Sequence, residues 1–411
     1  MLFNFDSTKI IDFRCYFSTK SNNCQKSDLF RRKTDFLSVQ IANFTPEKSS
    51  LKKQIKMSTP KFHALKIADV RQEIEDAVSI AFEVPEELKA EYHFKPGQYL
   101  TMRTQINGQE VRRSYSICSA PYENELRVAI KRVKGGIFSN YANENLHAGN
   151  TIDVMTPMGN FTTEIHENQE KTYVLFAGGS GITPILSLIK TVLVDEPKSK
   201  VTLIYGNRKI NSIIFKEEID YLKNLYLTRF AVVHILSEEY LGNDVQYGLM
   251  DKAKTDQLNE FFLKQEKIDE AFICGPQPMI LAIQEKLLAY GMSEKAVHVE
   301  LFSSQTPAKP ISATNEPKIE ANVKIIMDGI EQELHIDSDG ESILDAAYKS
   351  GLDVPFACKG GVCCTCKAKV LEGSVKMDVN YALEPDEVAN GYILTCQSHP
   401  TSEKVVVSFD E

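Results

Sequence analysis

Cys358-Lys359-Gly360-Gly361-Val362-Cys363-Cys364-Thr365-Cys366 sets three cysteines in a C-x4-C-x2-C pattern, and Cys396 follows after a further 29 residues. Three thiolates from one short loop must curl around a single small centre, and the fourth closes the cage from elsewhere in the fold. This is the ligand spacing of a [2Fe–2S] cluster, with Cys358, Cys363, Cys366 and Cys396 as ligands. Gly360 and Gly361 are expected to take torsions that a side chain forbids and to turn amide N–H groups toward the sulfurs. A structural zinc site usually pairs two C-x-x-C knuckles, and only one is present. A Rieske centre replaces two cysteines with histidines. Cys396-Gln397-Ser398-His399 imitates half of that pattern, but no histidine stands in the first loop. Exchanging Cys364 for Cys363 gives x5 and x1 spacing, so Cys364 reads as a small side chain packed beside the centre.

The loop lies within a unit predicted over residues 320–411. It opens with a hairpin around Asp328-Gly329 and a helix near Ser342–Lys349. This unit is acidic, with 17 Asp+Glu against 7 Lys+Arg. Such a balance disfavours nucleic acid as a partner, because phosphate binding rests on basic surface. It suits either a solvated acidic face or docking onto a basic patch, with charge steering the encounter. Upstream, residues 303–319 carry Pro307, Pro310 and Pro317 among Ser, Thr and Ala, the composition of an extended linker.

Strands and helices alternate over residues 169–302. Tyr173-Val174-Leu175-Phe176-Ala177 is a continuous apolar strand, as buried parallel strands are. Gly178-Gly179-Ser180-Gly181-Ile182-Thr183-Pro184 separates it from a helix predicted over Ile185–Val194, with Pro184 as first helical residue. Gly179-x-Gly181-x-x-Pro184 is a variant of the dinucleotide fingerprint, in which glycines let the backbone approach a pyrophosphate. Alone, such a turn is equally simple punctuation between strand and helix. Arg208, after the strand Val201–Tyr205, either pairs with a 2′-phosphate, favouring NADPH over NADH, or faces solvent. Strands are also predicted at Ala231–Leu236 and Ala271–Cys274. Cys274-Gly275-Pro276 closes the latter at the carboxyl edge where ligands of open α/β sheets bind, although Cys274 also suits a core position.

Residues 58–168 read as an antiparallel β-barrel, with short alternating strands such as Gln98–Arg103 and Leu126–Ile130 and turns at Pro96-Gly97 and Asn107-Gly108. Arg113-Ser114-Tyr115-Ser116 follows one strand. A flavin needs a cation for its phosphate, a flat surface against its ring and a polar group near N5, which Arg113, Tyr115 and Ser116 supply. Gly135-Gly136-Ile137-Phe138-Ser139 opens a helix whose free N–H groups suit a pyrophosphate. An ordinary barrel strand is the competing reading of Arg-x-Tyr-Ser taken alone.

The chain has 411 residues, 43% hydrophobic and 25% charged, as globular proteins have. No apolar run is long enough to span a membrane. Residues 1–57 form a basic leader, with 11 Lys+Arg against 5 Asp+Glu up to residue 56. With Met57 as functional start, the leader is expected to be disordered or not native. Asp6, Asp12, Asp28 and Asp35 argue against an organelle presequence. Four of the nine cysteines fall within nine residues, Cys358 to Cys366, which is metal spacing rather than a disulfide framework, while Cys15, Cys24 and Cys118 stand apart; with an odd count in a large chain, a reduced, cytoplasmic setting is expected.

Residues 62–302 resemble the ferredoxin–NADP+ reductase superfamily in the Arg113, Gly179 and Cys274 motifs, and Glu300-Leu301-Phe302 resembles its terminal Glu-x-aromatic. Residues 320–411 resemble plant-type ferredoxins. Reductase first and ferredoxin last is the order of the reductase components of bacterial multicomponent oxygenases. Pro355–Cys363, Asp378–Val388 and Thr395–Pro400 are similar to the reductase subunits of phenylacetyl-CoA 1,2-epoxidases. The resemblance implies a multi-domain chain with a flavin barrel, an α/β nucleotide domain and a β-grasp ferredoxin domain. It implies hydride transfer from NADPH to FAD and single electrons leaving through [2Fe–2S]. Ser114, Ser139, Ser180 and Thr183 complete the implied cofactor contacts, with Glu300 near flavin N5 and Phe302 beside the nicotinamide. The implied partners are the oxygenase subunits of a diiron epoxidase. A Rieske or other oxygenase as client, or a carrier without NADPH activity, remains open.

Overall fold

Asn107 and Gly108 both take left-handed torsions, φ +53° and +77°, and so form the tight turn that fixes the register of the strands on either side. The computed structural model of the chain describes residues 60–264, 267–302 and 319–411. The whole of the expected leader, and the expected linker except for Ile319, lie outside the described residues.

The first sheet contains β1 (Phe62–Ile74), β2 (Ala77–Glu83), β3 (Tyr99–Ile106), β4 (Gln109–Ser116), β5 (Leu126–Lys131) and β6 (Thr151–Met155). Its order is β4-β3-β6-β1-β2-β5 with every pairing antiparallel, and a bridge from Ile117 to Val128 brings the end of β4 back toward β5. Alternate residues Leu65, Ile67, Ile80, Leu100, Met102, Val128 and Ile130 fill the interior without exposure. Helix α1 (Ile137–Asn145) adds Phe138 and Ala142 to that core. The outer residues Ala77 and Ala129 are small and buried, because the next layer packs on them.

That layer is a parallel sheet of β7 (Thr172–Gly178), β8 (Lys200–Asn207), β9 (Phe230–Leu236), β10 (Glu270–Cys274) and β11 (Val297–Glu300), in the order β11-β10-β7-β8-β9. Helices α2 (Ile182–Asp195), α3 (Lys216–Leu225), α4 (Lys252–Leu258) and α5 (Gln277–Ala289) connect the strands. The chain leaves β7 toward β8 on one side and returns to β10 on the other. The topological switch point therefore lies between β7 and β10, at the ends carrying Gly178 and Cys274. Helix α2 begins at Ile182, three residues before the sequence-based start. Pro184 is thus the third helical residue, tolerated because first-turn N–H groups have no helical partner.

The last unit contains β12 (Glu320–Met327), β13 (Ile330–Asp337), β14 (Lys367–Glu372), β15 (Val375–Met377), β16 (Tyr392–Leu394), β17 (Ser398–Pro400) and β18 (Lys404–Ser408). A five-stranded sheet runs β13-β12-β18-β14-β16, with β12 and β18 parallel, and β15 pairs β17 separately. Asp328 and Gly329 take left-handed torsions in the first hairpin, and Ser342 caps helix α6 (Ile343–Lys349) by accepting from Asp345 N–H. This is the α+β arrangement of a β-grasp. No helix among the described residues is long and apolar enough to cross a membrane.

Candidate functional site

The register of the first hairpin sets Tyr99 opposite Ser116 and Leu100 opposite Tyr115, which leaves the Arg113–Ser116 segment at the open end of β4. Arg113 is exposed, and its Nη1 donates to the Arg112 carbonyl at 2.7 Å. It has no carboxylate partner among the described residues, as a phosphate-binding guanidinium requires. The Tyr115 ring packs on Phe138 at 5.6 Å between centroids, so the strand motif and α1 form one surface. Ser114 Oγ and Thr101 Oγ1 are hydrogen-bonded at 3.0 Å on the neighbouring strand pair. Gly136 is the residue before α1, and a Cβ there would meet Ser139 Oγ at 2.6 Å. Ser139 Oγ in turn accepts from Val133 N–H, and Gly135 takes φ +74°.

Ser116 reaches across to the parallel sheet. Its Oγ donates to Glu300 Oε2 at 3.0 Å, although 184 residues separate the two. Glu300 is the register partner of Cys274 at the ends of β11 and β10. Desolvation pushes the Glu300 carboxyl up to about 8, against the opposing effect of the Ser116 bond. The Cys274 thiol is also pushed up, by burial and then by the Glu300 charge. Phe302 follows with 42% of its surface exposed.

At the switch point two turns touch backbone to backbone. A Cβ on Gly181 would stand 2.1 Å from the Cys274 carbonyl oxygen, and one on Gly178 would meet Pro276 Cδ at 2.7 Å. A Cβ on Gly275 would reach Met279 Cε at 2.6 Å and the Gly178 Cα at 3.1 Å. Gly179 takes φ +54° with open space beside it, and its carbonyl accepts from Tyr205 OH. Thr183 Oγ1 donates to the Ser180 carbonyl at 3.1 Å. The expected motifs Gly179–Pro184 and Cys274–Pro276 are therefore one place. Arg208 stands apart, 80% exposed and 3.8 Å from Glu238.

In the cysteine loop the four expected ligands form two pairs. Cys363 donates to Cys358 Sγ at 3.1 Å, and the neighbouring Cys396, followed by burial, pushes the Cys366 thiol up. Gly360 N–H points to Cys358 Sγ at 3.3 Å, and Gln397 Nε2 to Cys396 Sγ at 3.4 Å. The bond from Cys363, with the backbone N–H groups of Gly360, Val362 and Cys363, lowers the Cys358 thiol to about 6 against desolvation. Among the described residues no three His, Cys, Asp or Glu side chains converge to hold one metal ion, as structural zinc needs. Two thiol pairs with amide donors fit a binuclear cluster, which takes two thiolates per iron. Gly361 takes φ +72°, as expected, against Val379, but Gly360 does not adopt a left-handed torsion. Lys359 does, at φ +52°. Its ammonium pairs with Asp345, and its carbonyl accepts from Gln397.

Sequence reasoning missed the residues that bring the barrel to this loop. The Arg112 side chain, 2% exposed, lies over the Phe356 ring at 4.1 Å and donates to Asp353 Oδ1 at 2.7 Å and to Glu110 Oε1 at 2.8 Å. Arg103 Nη1 also reaches Asp353. Tyr99 is buried within the apolar core of the last unit, and Val362 packs on the core that holds Leu301. A buried arginine in a strand that otherwise presents a binding motif was the available signal.

Three family models match in sequence: an oxidoreductase FAD-binding domain over residues 64–163, an oxidoreductase NAD-binding domain over 175–285, and a 2Fe-2S iron-sulfur cluster binding domain over 325–401. The chain is 44% identical to one of the subunits of the 1,2-phenylacetyl-CoA epoxidase of Escherichia coli K12, across 85% of this chain and 98% of that protein. It is 33% identical to the 3-ketosteroid-9-alpha-monooxygenase ferredoxin reductase component of Rhodococcus rhodochrous, across 84% and 96%. Phthalate dioxygenase reductase has the same fold, with a TM-score of 0.53 at 23% identity over 84% of this chain and 98% of that one.

Proposed function

Because this chain belongs to the oxidoreductase family that joins FAD-binding, NAD-binding and [2Fe–2S] domains, and that family includes the Escherichia coli 1,2-phenylacetyl-CoA epoxidase protein matched above, we propose that it serves a phenylacetyl-CoA epoxidase. It is an NAD(P)H-dependent electron-transfer reductase whose cofactors are FAD and a [2Fe–2S] cluster. The observation that carries the client is identity: 44% to the epoxidase protein against 33% to the ketosteroid reductase, over nearly equal shares of the chain. The partner in this reading is the diiron oxygenase of that epoxidase, met by the acidic last unit.

When bound, FAD exchanges electron pairs with the nicotinamide and single electrons with the cluster. The residues assigned here act by positioning. Arg113 holds the flavin phosphate, Tyr115 lies against the ring, and the start of α1, with Gly135, Gly136 and Ser139, receives the pyrophosphate. Gly179, Ser180, Gly181, Thr183 and Pro184 line the nucleotide pyrophosphate, with Cys274, Gly275 and Pro276 closing that side. Ser116 and Glu300 keep a proton between Oγ and Oε2 in a dry environment, and Phe302 covers the nicotinamide position. Arg208, held only by an exposed and weak ion pair, is available to a 2′-phosphate, so NADPH is the preferred donor. Cys358, Cys363, Cys366 and Cys396 hold the cluster.

The test mixes the purified reductase with the oxygenase subunits of a phenylacetyl-CoA epoxidase, and separately with a Rieske oxygenase. The reading requires NADPH oxidation coupled to loss of phenylacetyl-CoA in the first mixture alone. Coupling only in the second assigns the reductase to the other client class.

A further inference from the structure

One phenol reaches from the neighbouring strand into the nucleotide turn. Ala177 of β7 lies opposite Tyr205 of β8, and Gly179 follows two residues beyond Ala177. The Tyr205 ring is fully buried in the core that also holds Ile182 and Ile185 of α2, and its hydroxyl donates to the Gly179 carbonyl at 3.0 Å. Phenylalanine would fill nearly the same space without a polar atom. A phenol is tolerated there only because its O–H has an acceptor.

That bond fixes more than a carbonyl. The described peptide bonds are all trans, so the C=O and N–H of one peptide point in opposite directions within one plane. Holding the Gly179 oxygen inward therefore turns the Ser180 N–H outward. Gly179 has no side chain to restrain this plane, and it takes φ +54° with nothing within 4 Å of an added Cβ. The Ile182 N–H also serves the Gly179 oxygen, but divides itself between that oxygen and the Ser180 carbonyl. The phenol has one proton, and it goes to Gly179. The next plane is held likewise, because Thr183 Oγ1 donates to the Ser180 carbonyl at 3.1 Å. Both oxygens face the Ile182 N–H, so the N–H groups of Ser180 and Gly181 face the opposite side together. Successive N–H groups on one side form an anion-binding concavity.

We propose that Tyr205 is a positioning residue of the nucleotide site: by holding the Gly179 carbonyl it aims the Ser180 N–H at the pyrophosphate of the pyridine nucleotide, as Thr183 aims the Gly181 N–H. Tyr205 lies beneath the turn and acts only through it. Its hydroxyl serves binding of the nucleotide, and the geometry of flavin reduction is left to Ser116, Glu300 and Phe302. The inference rests on the turn Gly179–Pro184 receiving that pyrophosphate.

The test titrates the oxidised full-length reductase with NADP+ and reads the equilibrium Kd from the flavin difference spectrum. Y205F should raise that Kd, and with it the KM for NADPH, about fivefold, as the loss of one net hydrogen bond does. The rate of flavin reduction at saturating NADPH should not change. Adenosine 2′-phosphate, which carries no pyrophosphate, should compete with NADPH equally well in both proteins. If Y205F does not hold FAD, the neighbouring plane tests the same geometry: T183V should raise the Kd and T183S restore it. A wild-type Kd in Y205F overturns the inference, and so does a wild-type Kd in T183V where that variant decides. An inhibition constant for adenosine 2′-phosphate that rises as much as the Kd overturns it too, since the damage would then lie outside the turn. A wild-type protein that binds neither NADP+ nor NAD+ overturns the reading of the turn as a nucleotide site instead.

Discussion

Ser116 Oγ and Glu300 Oε2 lie 3.0 Å apart, one at the end of a barrel strand and the other at the end of the parallel sheet. Burial raises the Glu300 carboxyl from 4.5 to about 8. Below about pH 4.5 it is protonated whether the chain is folded or not. As pH rises toward 8 the unfolded chain ionises freely and the folded one does not. Folding stability is therefore lost across that window, at about 1.4 kcal/mol per pH unit at most. In flavin-depleted protein, E300Q should gain on the order of 2–3 kcal/mol over wild type at about pH 8 and almost nothing at about pH 4.5. Urea unfolding across that range checks it, and parallel stability curves would sink the assignment.

Arg112 carries the contact between the barrel and the last unit. R112A removes the guanidinium from the Phe356 face and leaves the half-buried Glu110 without its partner. Such losses cost about 2–4 kcal/mol. R112K should recover little, because lysine cannot serve Glu110, Asp353 and the ring together. In stopped-flow work, R112A should reduce its flavin at the wild-type rate and its cluster more slowly. Equal slowing of both steps would show instead a general defect.

The motifs and their local elements were legible because each is a short-range pattern. Asn107-Gly108 fixed one hairpin, the run Tyr173–Ala177 one buried strand, and Ser342 one helix start. The meeting of Ser116 with Glu300, and of Gly181 with the Cys274 carbonyl, followed only from sheet order, which periodicity does not give. Tyr99 was hidden for a further reason. Its strand position looks like any barrel aromatic until the last unit closes over it. Lys359 shows the limit of residue types: the loop puts its second left-handed torsion there, not on Gly360, and ties the side chain to Asp345.

Cys364 and Cys363 are neighbours with opposite fates on substitution. C364A should keep iron and acid-labile sulfide at wild-type stoichiometry, since its sulfur faces Tyr99 rather than the thiol pairs. C363A and C396A each break one of the two pairs and should lose the cluster. Metal and sulfide analysis with the visible spectrum separates the cases. Loss of the cluster in C364A, with C363A retaining it, would transfer the ligand role.

Two glycines of one turn should respond differently to alanine. At Gly179 the cost is torsional: φ is +54°, nothing lies within 4 Å of an added Cβ, and about 1 kcal/mol is expected. At Gly181 the added carbon meets the Cys274 carbonyl oxygen at 2.1 Å, and backbone cannot rotate away as a side chain can. G181A must push β7 and β10 apart at the switch point, or shift the start of α2. It should lose about 2–4 kcal/mol of stability and raise the KM for NADPH well beyond the effect of G179A. Flavin content should be wild-type in both, because Arg113, Tyr115 and α1 belong to the other sheet. Thermal unfolding with steady-state kinetics reads stability and KM, the visible spectrum reads flavin content, and equal KM values for the two variants would mean that the close approach of the two turns does not shape the nucleotide site.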